Sequence, residues 1–109
     1  MKKLDDVILA GLDIRMRPAL IVAGKLWSEF EQELVITCGL DGIHSERSLH
    51  YYGLALDFRN RYFSSDEKMI VADTLRSRLR KIDQRFDVVL HDTHIHCEFD
   101  IFKGINYDV

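Results

Sequence analysis

The run His94-Ile95-His96-Cys97-Glu98-Phe99 alternates polar and apolar residues without a break. On a strand, side chains two apart share a face. His94, His96 and Glu98 therefore line one side, and Ile95, Cys97 and Phe99 the other. The apolar side calls for a core, and the polar side is left facing a site. A chain that carries this strand has to build a one-sided sheet around it.

The remaining segments supply that sheet and its cover. From Arg17 onward, Pro18 falls in the first turn of a helix, where its missing N–H does no harm. Leu20, Ala23, Trp27 and Phe30 then recur at helical spacing in a segment reaching Glu33. Leu4 to Leu12 reads as a short helix cut off by Gly11 and Asp13. Leu34 to Cys38 is a β-branched run closed by Gly39 and suits a strand, followed by a polar loop to Arg47. In Leu54 to Phe58, Leu54, Leu56 and Phe58 point one way while Gly53, Ala55 and Asp57 point the other. The small residues beside Asp57 leave room for a metal or a substrate.

Ser64, with Glu67 three residues on, forms a capping-box pattern that opens a helix through about Ile82. Its buried stripe is expected from Met69, Ile70, Ala72, Leu75 and Leu79. Phe86 to Leu90 reads as a strand, and Asp92-Thr93 as a turn into the alternating run. Helices interleaved with strands on short connections predict an α+β fold, with a mostly antiparallel sheet flanked by two main helices. One domain is expected over residues 1–109, because no Pro- or Gly/Ser-rich linker and no repeat interrupts the chain.

A net charge of −3 argues against a nucleic-acid partner, whose binding rests on clustered cations. The run Arg76, Arg78, Arg80 and Lys81 is interspersed with acids and reads as a solvated helix face. Acidic residues interrupt the basic start before a signal-length apolar stretch, and nothing approaches a membrane span. The expectation is synthesis in the cytoplasm without an export signal, as a monomer. Cys38 and Cys97 are far apart and lack C-x-x-C spacing, so reduced thiols are expected.

The chemistry concentrates in His50, Asp57 and the H-x-x-H-x-H run of His91, His94 and His96. Two histidines and a carboxylate make the ligand set of an open zinc site, in which a fourth position is kept for water of lowered pKa. Facing strands bearing Asp57 and His96 would need only modest adjustment by the loop holding His50 to surround one ion. Glu98 stands as either a solvent-facing strand residue or a carboxylate that fixes a histidine tautomer.

Ser48-Leu-His50-Tyr-Tyr-Gly53-Leu-Ala55-Leu-Asp57 resembles the S-x-H-x-x-G-x-A-x-D signature of the zinc D-alanyl-D-alanine carboxypeptidases and the endolysin L-alanyl-D-glutamate peptidases. These belong to the lysostaphin, D-Ala-D-Ala metallopeptidase and hedgehog group. His94 and His96 resemble that group's second motif, H-x-H, and the likeness covers roughly 35–99. It implies a Zn2+ cofactor held by His50, Asp57 and His96, with His94 or His91 handling protons. Ser48 would orient the first ligand. It also implies a peptidoglycan peptide as substrate, reached after lysis or delivery as phage enzymes reach theirs. Two positions depart from the group. Thr93 stands where many relatives carry an acidic base, and Gly39-Leu40-Asp41 stands where a G-Y-R segment supplies an arginine. Arg47 and Arg59 are the candidates to replace it. The departures leave open a non-catalytic zinc-binding module, such as a virion component, and, behind it, a metal-independent regulatory domain.

Overall fold

A computed structural model of the chain describes residues 1–5, 7, 9–39 and 49–103, with the backbone alone for Tyr51. At its centre β3 (Ala55–Arg59) and β5 (His94–Phe99) pair antiparallel, with Asp57 opposite His96 and Arg59 opposite His94. β2 (Val35–Cys38) flanks β3 and β4 (Phe86–Leu90) flanks β5, both antiparallel. β1 (Lys2–Lys3) adds a short parallel edge, so the sheet runs β1-β2-β3-β5-β4. With α1 (Arg17–Glu29) and α2 (Ser65–Ile82), this is the expected α+β domain.

The alternation in β5 is realised residue by residue. Ile95, Cys97 and Phe99 are buried, while His94, His96 and Glu98 are half-buried. Both helices pack on the buried side, where Trp27 meets Phe58 and Phe63 edge-on at 5.8 and 5.5 Å. Each large apolar side chain sealed there contributes about 1.5–3 kcal/mol. The helix-covered face therefore carries the stability, and the opposite face is left for polar groups.

Helix α2 starts as expected. The Ser64 hydroxyl accepts from Glu67 N–H and the Glu67 carboxylate accepts from Ser64 N–H, completing the capping box. Its stripe differs from expectation, because Val71, Ala72, Leu75 and Leu79 face inward while Met69 and Ile70 are exposed. The phase of the helix is the reason. Met69 and Ile70 stand about 120° and 140° around the axis from Leu75, whereas Val71 is one turn before it.

The short helix expected over Leu4 to Leu12 does not form among the described residues. Lys2 and Leu4 instead donate backbone N–H groups to Leu34 and Ile36 at the sheet edge. So short a segment nucleates a helix poorly, and its first residue, Leu4, is drawn into pairing with β2. Helix α1 also stops earlier than its pattern, at Glu29, and Glu31 takes a positive φ of 59°.

The basic face of α2 is less idle than its composition implies. Arg76 donates to Val88 O, Arg80 to Phe86 O and Asp87, and Arg78 to Glu29 of α1. These contacts tie α2 to β4 and α1. The two ion pairs among them, Arg78–Glu29 and Arg80–Asp87, are each worth roughly 0–1 kcal/mol.

Candidate metal centre

The open face of the β3/β5 pair is organised around Asp57. Its register partner His96 places Nδ1 2.9 Å from Asp57 Oδ1. The other nitrogen of His96, Nε2, is 2.7 Å from Glu98 Oε1, two residues along the same face. Of the two readings left for Glu98, the carboxylate–imidazole hydrogen bond is the one present.

His50 arrives from outside the sheet, in a 3-10 turn over Leu49–Tyr52 that leads into β3. Gly53 makes that approach feasible. Its φ is +69°, and an added Cβ would lie 2.6 Å from Gly11 O and 2.9 Å from Asp13 N. Only glycine tolerates both constraints. The turn delivers a buried His50 whose Nδ1 donates to Gly39 O at 2.8 Å and whose Nε2 is 3.5 Å from Asp57 Oδ1.

His94 completes the cluster, with Nε2 3.9 Å from Asp57 Oδ2 and Nδ1 3.0 Å from the Thr93 hydroxyl. His91 is exposed, and its ring stacks on His94 with 4.7 Å between centroids. The turn carrying both is held by Asn60 Nδ2, which donates to His91 O, and by Lys68 Nζ, which donates to Asp92 O. Asn60 is fully buried, and nothing in the sequence pattern singles it out for this role.

Three imidazoles thus each engage one nitrogen elsewhere and bring the other toward a single carboxylate. The electrostatics follow. Burial disfavours charge on Asp57, yet hydrogen bonds from His50 and His96 hold its carboxyl well below the ordinary range. Burial likewise opposes charge on His96, but Asp57 and then Glu98 push it up to about 9. His94 is moved the other way, below its ordinary value, chiefly by burial and then by the neighbouring histidines against the pull of Asp57.

Cys38 enters the same group unexpectedly. Ile36 pairs with Phe58, but Cys38 pairs with Asp57, so a bulge shifts the β2 register between them. Without it Thr37 would stand opposite Asp57, and Cys38 would share the buried side with Ile36. One donor atom each from Cys38, His50 and Asp57 lie within 4.8 Å of one another, a group that could hold a metal ion. Cys97, by contrast, is fully buried on the helix side, where loss of solvation pushes its thiol pKa up. No disulfide joins the two.

The donor set fits a divalent cation. With Nδ1 donating to Gly39 O, His50 points Nε2 at Asp57 Oδ1, so a divalent cation between them would take the place of the Nε2 proton. The Gly39 carbonyl and the Glu98 carboxylate are the kind of outer partners that metal-binding histidines use to fix their tautomer. Beside His94 an open groove of about 490 Å³ is lined by Leu4, Thr37, Arg59, Arg61, Thr93 and His94. Arg59, which lines this groove with Arg61, stacks its guanidinium over the Tyr62 ring at 5.0 Å. Ser48 and Arg47 lie outside the described residues. Among the described residues no helix is long and apolar enough to cross a membrane.

No family model matches this chain, and no curated protein matches it.

Proposed function

We propose that the protein is a zinc-dependent peptidase acting on amide bonds of peptidoglycan peptides, of the D-Ala-D-Ala carboxypeptidase or murein endopeptidase type. The observation that carries this reading is the convergence of His50, His94 and His96 on Asp57, each with its second ring nitrogen held by another group. His50, Asp57 and His96 would hold the ion. When bound, zinc polarises an amide carbonyl and makes water nucleophilic near neutral pH.

The residues of the chain supply the remaining steps. A His94 with lowered pKa is neutral at pH 7, so its Nε2 can take a proton from the attacking water and return it to the leaving amine. His91, stacked on His94, limits the freedom of that ring and is the alternative proton carrier. Glu98 and Gly39 keep the two ligand histidines in orientation. Arg59 and Arg61 in the groove beside His94 suit a substrate carboxylate.

The test is digestion of purified peptidoglycan by the metal-replete protein. Release of peptide or amino acid, abolished by chelation and by His96→Ala and reduced at least about a hundredfold by His94→Ala, is the expected result. A second reading, a non-catalytic metal-binding module of the same fold such as a virion component, is favoured by Cys38 beside His50 and Asp57 and by Thr93 at the base position. Stoichiometric metal without release from any peptidoglycan chemotype would select it. Protein that binds no metal sinks both.

A further inference from the structure

We propose that Cys38 is itself a metal ligand, closing as a thiolate the coordination position that hydrolysis requires for water. This rests on the metal-binding reading above and adds a ligand that the histidine and aspartate pattern does not contain. Three observations carry it. The bulge in β2 sets Cys38 opposite Asp57 on the open face, although the ordinary alternation of the strand would bury it with Ile36. Its Sγ, a donor atom of His50 and a carboxylate oxygen of Asp57 lie within 4.8 Å of one another, close enough to surround one ion with small adjustment. Cys38 is also half-buried, so it remains within reach of solvent species, unlike the sealed Cys97.

The consequences are chemical. His50, Asp57 and His96 leave one of the four tetrahedral positions open, whereas adding Cys38 fills it, and four protein ligands are the mark of a closed zinc site. On coordination the thiol S–H bond is exchanged for a sulfur–metal bond, and the proton goes to solvent. The resting protein then holds its metal with Cys38, His50 and Asp57, the three donors that already lie together, and with His96, which reaches the site beside Asp57. Such a shell selects zinc or cobalt over magnesium or calcium, because a thiolate is a poor partner for hard cations. Hydrolysis then requires water to displace the sulfur.

The experiment uses Co2+ as a spectroscopic probe of the full chain. Wild-type protein titrated with Co2+ should develop both visible ligand-field bands and a near-ultraviolet thiolate-to-cobalt charge-transfer band. In Cys38→Ser the charge-transfer band should vanish while the visible bands persist, with affinity lowered by more than about tenfold, since loss of even an outer partner of a metal site costs 10–100-fold. Cys97→Ala should keep the band if that variant folds. Alkylation gives an independent measurement in the wild type, where Zn2+ should slow modification of Cys38 by iodoacetamide at least tenfold. Visible bands without charge transfer, or equal alkylation rates with and without bound Zn2+, would overturn the proposal while leaving the histidine and aspartate site standing. No Co2+ or Zn2+ binding at all would overturn the site together with its thiolate.

Discussion

The two faces of the β3/β5 pair are built from alternate residues of the same two strands, yet they obey different physics. On the helix side Leu56, Phe58, Ile95 and Cys97 are fully buried and packed against α1 and α2. On the other side Asp57, His94, His96 and Glu98 are half-buried and hold one another through hydrogen bonds and charge. One face is stable because it excludes water. The other holds its charged groups together by mutual attraction and hydrogen bonds. A fold that separates these tasks by strand parity can change its chemistry without losing its core.

The largest test of that separation is on the packed face. Phe58→Ala removes a ring that Trp27 packs against edge-on and should destabilise the protein by about 3–5 kcal/mol. Urea denaturation checks it, and a loss below about 1 kcal/mol would mean that this face is not what holds the fold. Next in size is metal on the open face. Zinc at a hundredfold excess over Kd should stabilise the wild type by about 2.7 kcal/mol, read as a rise in thermal midpoint. Asp57→Asn should abolish that rise while keeping the native circular dichroism spectrum. If it unfolds the chain instead, the two faces are not independent.

A smaller effect should appear in the metal-free protein as a function of pH. His96 is raised from 6.5 to about 9, so the stability it contributes is complete below about pH 6.5 and is lost as pH climbs toward 9. Asp57 is lowered from 3.8, so its share is present above about pH 4 and is lost as the solution becomes more acidic. The part of each shift that comes from the Asp57–His96 contact is shared and counts once. Denaturation midpoints should therefore plateau between these limits and fall on either side, and His96→Gln should flatten the alkaline fall. The smallest effect belongs to His91, whose exposed ring stacks on His94. His91→Ala should shift stability by less than about 0.5 kcal/mol, and an activity loss approaching that of His94→Ala would make it the proton carrier.

Much of this arrangement was legible in the sequence, and what escaped was non-local. The five-residue alternation of β3 and the six-residue alternation of β5 assign their faces correctly, because the period of two is a property of the strand itself. The capping box sets the start of α2 for the same local reason. Met69 and Ile70 mislead because apolar identity carries no phase, and the axis of α2 turns them to solvent. Leu4 to Leu12 misleads because Leu4 N–H finds its partner at Ile36 on β2, over thirty residues away, while Val7 and Leu12 bond back to Leu4 and Leu9. Asn60 and Lys68 hold the histidine turn through carbonyls that no spacing rule reveals.

By itself the sequence determined which residues share a face, where the second helix begins, and that His94, His96 and Glu98 stand opposite a buried stripe. These are consequences of local backbone geometry. Only the tertiary structure decided that Asp57 meets His96, that Gly53 lets His50 reach both, and that Cys38 joins them. Register is set by hydrogen bonding between distant strands, and the bulge in β2 puts Cys38 on the face opposite to the one its alternation with Ile36 would give.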